Sequence, residues 1–280
     1  MRSFHTIFSE AASQGVARHD VQVFISHYFQ VSSAQIMARL HDPCVDDVLL
    51  HHVDAAIARR QKHEPVAYII REAGFYGRLY VVRSGVLIPR PETELLIDAV
   101  SELPVALNDS TIFDIGVGSG IVGLELARRY ARSQIIGWDK SEVAIEVASE
   151  NKARFSHDHV SYRHADFFDD DWRALLASSG PTIVVSNPPY IRSSDVVTLM
   201  PDVTKYEPYM ALDGGESGLV FIERLIQEMR AYPVWLCLEI GYDQGAAVAD
   251  LCRTHGFSSV QVHKDLANHD RVVTGYCSGT

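Results

Sequence analysis

The stretch Asn187-Pro188-Pro189-Tyr190, called the acceptor motif below, contains the residue types best suited to holding a reacting group. The side-chain oxygen of Asn187 accepts hydrogen bonds. The carbonyl of Pro188 also accepts, with no neighbouring N–H to compete, because the next residue is proline. The flat ring of Tyr190 can stack on a planar group. Two acceptors and a ring suit a planar amino or amide group, so we predict catalytic roles for Asn187, Pro188, Pro189 and Tyr190.

The acceptor motif follows a short apolar run, residues 182–185, which is typical of a strand buried on both faces. The residue before a proline is pushed towards an extended conformation, so no helix can start at once. We therefore expect the motif at the end of a strand. An ordinary proline-rich turn with Asn187 as a turn former explains the same residues, and this alternative weakens only when a second motif is considered.

That second motif is rich in glycine and follows the strand predicted at residues 111–115. Glycine lets the backbone turn tightly and approach a ligand closely. The next predicted strand ends at Asp139, about 20 positions further on, where a carboxylate can accept hydrogen bonds from both hydroxyls of a ribose. A tight turn alone explains the glycines, and a helix cap alone explains Asp139. The glycines and Asp139 together indicate a nucleoside site. The motif, called the glycine loop below, consists of Gly116, Val117, Gly118, Ser119 and Gly120.

The spacing of these glycines differs from the Gly-x-Gly-x-x-Gly pattern of dinucleotide enzymes, which argues against NAD. A nucleoside without phosphates fits better, and S-adenosylmethionine is such a molecule. After the third strand of this region, Asp166 could accept from an adenine amino group. Phe167 could pack on the adenine ring, although a core position explains Phe167 about as well. Because ligands bind at the carboxyl ends of neighbouring parallel strands, we expect Asn187 to contact the cofactor too.

The composition of the 280-residue chain is that of an ordinary globular protein, with a net charge of −11 and a sequence pI of about 5.6. An acidic chain is poorly suited to neutralising phosphates, so we expect no direct contact with nucleic acid. Four scattered cysteines and dispersed histidines, without the spacing of metal ligands, predict reduced thiols and no metal site. The first ten residues lack the apolar core of a signal peptide, and no apolar run could span a membrane. We therefore expect a cytoplasmic protein.

The apolar pattern divides the chain into three parts. Residues 1–70 show helical spacing and predict a small helical domain. Residues 71–104 predict a connecting hairpin and a helix. Residues 105–280 alternate between strands and helices, which predicts an α/β domain with a mostly parallel sheet and helices on both faces. The predicted strands are residues 111–115, 134–138, 160–163, 182–186, 234–240, 258–263 and 271–276, and the predicted helices of this domain are residues 121–131, 141–155, 172–177, 219–231 and 245–254.

Several short motifs together resemble one family. The glycine loop, Asp139 and the acceptor motif are similar to class I S-adenosylmethionine methyltransferases, which have a Rossmann-like sheet. Further segments narrow the resemblance to the release factor glutamine methyltransferases, the HemK/PrmC family. These segments are Glu64-Pro65-Val66-Ala67-Tyr68, Ile88-Pro89-Arg90-Pro91-Glu92-Thr93-Glu94, Tyr206-Glu207-Pro208, Ala211-Leu212 and Leu238-Glu239-Ile240-Gly241.

The resemblance implies methylation of the side-chain amide of the glutamine in the Gly-Gly-Gln motif of class 1 peptide chain release factors, with S-adenosylmethionine as methyl donor. It also implies that residues 1–70 recognise the substrate and that residues 105–280 bind the cofactor. The chain departs from the family pattern at three places. Arg71 stands where glycine is usual, Val117 and Ser119 replace the commoner threonines, and Phe167 replaces a frequent tryptophan.

Three other functions fit parts of the same pattern. An adenine-amino methyltransferase of DNA or RNA also has a planar NH2 acceptor, although the net charge of −11 counts against it. A glutamine methyltransferase of a ribosomal protein would use the same chemistry on a different partner. A binding protein could keep the cofactor fold without catalysis, which an intact acceptor motif disfavours.

Overall fold

The computed structural model describes residues 2–44, 46–177 and 180–279. The chain divides into two compact units, Met1–Glu72 with Met200–Tyr206 and Ala73–Leu199 with Glu207–Thr280. The segment predicted to connect two domains, residues 71–104, falls almost wholly in the second unit. The roles predicted for the three parts of the chain stay predictions.

The secondary structure combines helices at the start of the chain with alternating strands and helices after residue 110. The helices are α1 (Phe4–Ser13), α2 (Arg18–Phe29), α3 (Ser33–Ala38), α4 (Asp47–Arg60), α5 (Val66–Ile70), α6 (Glu94–Ser101), α7 (Ile121–Arg129), α8 (Glu142–Phe155), α9 (Ser193–Val196), α10 (Pro201–Tyr206), α11 (Val220–Met229) and α12 (Gly245–Thr254). The strands are β1 (Glu72–Phe75), β2 (Arg78–Val81), β3 (Thr111–Ile115), β4 (Gln134–Asp139), β5 (Val160–His164), β6 (Thr182–Ser186), β7 (Pro233–Glu239), β8 (Ser258–Lys264) and β9 (Asp270–Ser278).

The first unit is helical, as the spacing of its apolar residues predicts. Three of its helices begin at polar side chains that accept hydrogen bonds from the free N–H groups of the first turn. Ser3 caps α1, Ser32 forms a capping box at α3, and Asp46 caps α4. The core of this unit consists of residues on the facing sides of these helices, including Ile7, Phe24 and Val53.

Arg71, the first departure from the family pattern, ends α5 with φ at +60°. This left-handed conformation is the one that glycine adopts without penalty. An arginine there costs about 1–2 kcal/mol in backbone strain. The departure from glycine that the resemblance marks at this position therefore has a conformational cost.

The second unit contains a seven-stranded sheet in the order β5-β4-β3-β6-β7-β9-β8. The first five strands in this order pair in parallel, and β9 runs antiparallel to both of its neighbours. β1 and β2 form a separate two-stranded sheet, the predicted hairpin. The prediction of a mostly parallel sheet is thus confirmed.

Both faces of the sheet are covered. Successive side chains of a strand point to opposite faces, so Ile112 and Ile183 join one core while Phe113 and Val184 join the other. The first core includes apolar residues of α6 and α7, and the second includes apolar residues of α11 and α12. The apolar run at residues 182–185 is therefore buried on both faces, as predicted.

The predicted boundaries of the elements after residue 110 agree with the structure to within about two residues. β3, β6 and α12 have the predicted bounds. The segment predicted as a helix at residues 172–177 is a 3₁₀ helix, Arg173–Ala177, and the helix predicted within residues 71–104 begins with a 3₁₀ turn, Pro91–Thr93. Proline suits the first position, because an N–H there would have no partner within the helix, and proline has none.

Candidate active site

A cavity of about 460 Å³ lies at the carboxyl ends of β3, β4 and β6, within the second unit. β3 pairs with β4 on one side and with β6 on the other, so the strand order reverses here. Open parallel sheets bind ligands at such a reversal, because the loops leaving the two strands diverge. The walls include residues 85–90, residues 116–119 of the glycine loop, residues 138–141, residues 165–168 and residues 187–189.

The glycine loop needs glycine for two different reasons. Gly118 has φ at +55°, and a Cβ built there would meet nothing within 4 Å. Gly118 therefore leaves space open at the cavity wall. Gly120 has φ at +83°, and a Cβ there would lie 2.9 Å from the Tyr162 hydroxyl oxygen. Gly120 does not line the cavity, so it serves the close packing of the loop against the sheet.

The two residues of the loop that stand in place of threonines face away from solvent. Val117 and Ser119 are both buried, although both contribute to the cavity wall. A Cβ built at Gly137 would lie 2.4 Å from Val117 Cγ2, so glycine on β4 makes room for the valine. The carbonyl of Ser119 accepts a hydrogen bond from Asn151 Nδ2 at 2.9 Å. Asn151 was not predicted, and no sequence pattern pointed to it.

Asp139 ends β4 and connects it to the glycine loop. Its Oδ2 accepts from the Gly118 N–H at 2.9 Å and its Oδ1 accepts from the Ser141 N–H at 2.8 Å. Each carboxylate oxygen has a second acceptor site, which remains for ribose hydroxyls. Burial raises the pKa of Asp139, and the hydrogen bonds from Gly118 and Ser141 oppose this shift. The cap of α8 is Ser141, whose side chain accepts from Ala144 N.

Phe167 lies at the cavity but belongs largely to the core. Only 3% of the residue is exposed, and its ring stacks on Trp172 with centroids 4.9 Å apart. The neighbouring Asp166 lines the cavity and forms an ion pair with Lys140 at 2.7 Å. The packing of Phe167 against adenine stays a prediction beside the core role that the stacking supports.

The acceptor motif follows β6, as predicted. Asn187, Pro188 and Pro189 line the cavity, whereas Tyr190 is not among the residues that form its wall. Asn187 Nδ2 donates to Thr93 Oγ1 at 3.1 Å, which leaves Oδ1 as the acceptor. The Tyr190 hydroxyl instead donates to Glu239 Oε1, a long contact of 3.4 Å. The catalytic roles of all four residues, including the stacking of the Tyr190 ring on a planar group, stay predictions.

Several residues around the acceptor motif belong to the segments that resemble the family, although the sequence predicts no role for them. Glu207 is buried and binds Arg90 at 2.6 Å, which holds the cavity loop of residues 88–90. Thr93 and Glu239 accept hydrogen bonds from Asn187 and Tyr190 of the acceptor motif. Gln244, for which no sequence signal existed, donates from Nε2 to the Tyr190 carbonyl at 2.9 Å and so fixes the exit of the motif.

Two fully buried carboxyls lie near the site. Burial raises the pKa of Asp114 on β3 to about 8, although the Gly123 N–H, which donates to Oδ2 at 3.0 Å, lowers it. Burial raises the pKa of Glu239 to about 7. Both groups gain protons more readily than exposed carboxyls do, because a low-dielectric interior disfavours the charged form.

These residues fit S-adenosylmethionine. The cavity has the volume of a small-molecule site. Gly118 leaves space for a ligand beside the glycine loop, and Asp139 offers acceptor oxygens at the end of the neighbouring strand. Among residues 2–44, 46–177 and 180–279, no group of three or more His, Cys, Asp or Glu side chains could hold a metal. Within the same ranges no helix has both the length and the apolar character to span a membrane.

The fold and the site define a class I S-adenosylmethionine-dependent methyltransferase. Comparisons with known proteins agree: the Methyltransferase small domain model matches residues 91–220, and the PrmC N-terminal domain model matches residues 6–70. The catalytic domain of hMettl16, solved with the MAT2A 3'UTR hairpin 6, has a TM-score of 0.58 at 14% identity, with 82% of each chain covered. At this identity the likeness concerns the fold alone.

Curated relatives extend the match to most of the chain. A release factor glutamine methyltransferase of Thermodesulfovibrio yellowstonii is 35% identical over 91% of this chain and 90% of its own. Another, from Caulobacter vibrioides, is 40% identical over 78% of this chain and 75% of its own. The chain belongs to the family of release factor glutamine methyltransferases. The resemblance seen in the motifs is thus confirmed, as are the class of enzyme and its cofactor, S-adenosylmethionine.

Proposed function

We propose that this enzyme methylates the side-chain amide nitrogen of the glutamine in the Gly-Gly-Gln motif of class 1 peptide chain release factors. The observation that carries the proposal is the 3.1 Å hydrogen bond from Asn187 Nδ2 to Thr93. It turns the amide oxygen of Asn187 into the free acceptor, as a substrate NH2 group requires. The names of the curated relatives support a release factor as the partner.

The residues of the site act by positioning. A glutamine amide nitrogen is a poor nucleophile because its lone pair is delocalised into the carbonyl. S-adenosylmethionine supplies an electrophilic methyl group when bound. Asn187 Oδ1 and the Pro188 carbonyl accept the two amide hydrogens and orient the nitrogen. Correct placement and exclusion of water can account for about 7–11 kcal/mol of a reaction barrier.

The partner and the location follow from the same proposal. Residues 1–70, which the PrmC N-terminal domain model matches at residues 6–70, recognise the release factor. Residues 105–280 bind the cofactor and carry the reaction. The net charge of −11 disfavours direct contact with nucleic acid, and the enzyme works in the cytoplasm, where translation ends.

Peptide mass spectrometry tests this function. The full chain is incubated with S-adenosylmethionine and a class 1 release factor, and the release factor is then digested. We expect one added methyl group on the glutamine of the Gly-Gly-Gln peptide, and none with Asn187→Ala. Methylation of a ribosomal protein or of adenine in duplex DNA, with an unmodified release factor, would refute the proposal.

For Asn187→Ala, we predict loss of turnover with cofactor binding retained. The substitution removes an acceptor for the substrate but leaves Asp139 and the glycine loop intact. Calorimetry with S-adenosylhomocysteine should give nearly the wild-type affinity. Normal turnover by this variant would remove Asn187 from the catalytic role.

A further inference from the structure

Asn151, on α8, is a buried residue whose side-chain amide binds the backbone of two distant segments. Its Oδ1 accepts from the Val81 N–H at 2.7 Å. Its Nδ2 donates to the Val81 carbonyl at 3.0 Å and to the Ser119 carbonyl at 2.9 Å. Because one backbone group is a donor and two are acceptors, only one orientation of the amide satisfies all three.

The first of these segments is the glycine loop, in the part that lines the cavity. Glycine loses more conformational freedom on ordering than any other residue, so a loop with three glycines needs outside partners to hold one shape. Asp139 is one such partner, because it accepts from the Gly118 N–H at 2.9 Å. Asn151 is another, because it donates to the carbonyl of the next residue, Ser119. The two side chains thus hold the loop on both sides of the Gly118–Ser119 peptide bond.

The second segment begins at Val81, the last residue of β2 in the two-stranded sheet. A neighbouring strand binds both the N–H and the carbonyl of one residue, and the Asn151 side chain does the same to Val81. The chain then continues from Val81 to residues 85–88, which line the cavity. One buried amide therefore connects the glycine loop to the segment that leads into another part of the cavity wall.

Other residues of α8 hold the same segment after β2. Arg83 forms ion pairs with Glu146 at 2.8 Å and with Glu150 at 2.9 Å. A Cβ built at Gly85, where φ is +100°, would lie 2.9 Å from Val143 Cγ1, so the backbone there packs directly on the helix. The segment thus follows α8 towards the start of the helix, and α8 fixes its path to the cavity.

We infer that Asn151 is a positioning residue for the cofactor, because it holds the Ser119 carbonyl and the Val81 backbone in the arrangement that S-adenosylmethionine meets on binding. Asn151 itself is not part of the cavity wall. A cavity with ordered walls loses less conformational entropy when a ligand enters, and this saving contributes to affinity. The inference depends on the cofactor of the family and holds whichever acceptor the enzyme methylates.

Calorimetry with S-adenosylhomocysteine tests the inference without any methyl transfer. Asn151→Ala removes all three hydrogen bonds, and alanine is well tolerated inside a helix. Asn151→Asp keeps the shape and the acceptor for the Val81 N–H, but an ionised carboxylate cannot donate to the Ser119 carbonyl. We expect Kd to rise about tenfold in each variant, the effect of losing one hydrogen bond in a buried site. Wild-type affinity in either variant would overturn the inference.

Ser133→Ala is the matched control for stability. Ser133 is also buried, its Oγ donates to the Leu107 carbonyl at 2.7 Å, and it lies outside the cavity wall. This variant also loses a buried hydrogen bond to a carbonyl, so its Tm should fall while its affinity for S-adenosylhomocysteine stays unchanged. If Ser133→Ala weakened binding as much as Asn151→Ala does, the loss would reflect stability alone and the inference would fail.

Backbone hydrogen exchange locates the effect within the enzyme. The Gly118 N–H donates to Asp139, and the Gly120 N–H donates to the Val117 carbonyl at 2.9 Å. In free Asn151→Ala, these two amides should exchange faster than in the wild type by a larger factor than Val184 of β6 does, because the loop opens locally. Saturating S-adenosylhomocysteine should reduce the difference. Equal acceleration at all three amides would indicate global destabilisation and would overturn the inference.

NMR of the wild-type enzyme gives a test that requires no variant to fold. Before S-adenosylhomocysteine is added, the side-chain amide protons of Asn151 should already be protected from exchange with solvent. A coupling through the hydrogen bond should join Asn151 Nδ2 to the Ser119 carbonyl carbon, and it should persist when the ligand binds. An Asn151 amide that exchanges freely in the free enzyme, and becomes ordered only with the ligand, would show that it does not position the loop in advance.

Discussion

At the scale of single residues, the site combines acceptors whose neighbours decide what they can bind. Asp139 and Asn187 were predicted from sequence because each follows a strand with a recognisable pattern. Their partners were not predicted, because Thr93 precedes Asn187 by 94 positions and no short-range pattern joins them. A contact of that separation depends on strand order, which the motif alone does not specify.

Asp139→Ala should weaken binding of S-adenosylhomocysteine by a factor of about ten to one hundred. The substitution removes a carboxylate that can accept from the ribose, and a hydrogen bond to a charged group contributes about 1.5–3 kcal/mol. It also removes the hydrogen bond of 2.9 Å that the Gly118 N–H donates to Asp139 Oδ2. Isothermal titration calorimetry measures the change, with Asp109→Ala as an exposed control, and unaltered affinity would remove Asp139 from the ribose role.

At the scale of elements, the glycine loop and the strands around it were largely predictable. The apolar runs of β3 and β6 and the alternation of strands with helices gave their bounds, because strands buried on both faces have a strong signal. The 3₁₀ turn before α6 and the limits of β9 were less predictable, since hydrogen bonds from distant segments decide where such elements end. The sequence did not decide whether Phe167 packs in the core or against a ligand, because an aromatic residue after a strand suits both positions.

Gly118→Ala and Gly120→Ala should affect different properties of the loop. Both positions have positive φ, so alanine costs about 1–2 kcal/mol at either. At Gly120 the added methyl group also meets Tyr162 and Ala148, and we expect the larger fall in Tm there. At Gly118 the methyl group occupies open space at the cavity wall, so the larger loss should be in affinity for S-adenosylhomocysteine. The reverse pattern in calorimetry would contradict this division.

At the scale of the whole molecule, buried carboxyls make stability depend on pH. Glu239 has a folded-state pKa of about 7 against 4.5 for an ordinary glutamate. Between these values the folded state binds more protons than the unfolded state, so stability falls as pH rises. This contribution is complete below pH 4.5 and is lost as pH rises through 7.

Glu239→Gln should therefore flatten the pH dependence of unfolding. Between pH 4.5 and 7 the wild-type free energy of unfolding should fall relative to that of the variant by about 3 kcal/mol, the value of a 2.5-unit shift. Urea denaturation at a series of pH values gives the difference between the two proteins. Parallel curves across this range would show that Glu239 ionises in the folded protein as it does in the unfolded one.

The motifs of the chain predicted the class of enzyme, but not the hydrogen bonds that surround the acceptor motif. The claim on which the account depends is that the Asn187 oxygen holds the substrate amide. A crystal structure of the enzyme with S-adenosylhomocysteine and a Gly-Gly-Gln peptide measures this directly. We predict a distance of about 2.7–3.2 Å from Asn187 Oδ1 to the glutamine amide nitrogen. A glutamine bound elsewhere, or facing Asn187 Nδ2, would contradict the account.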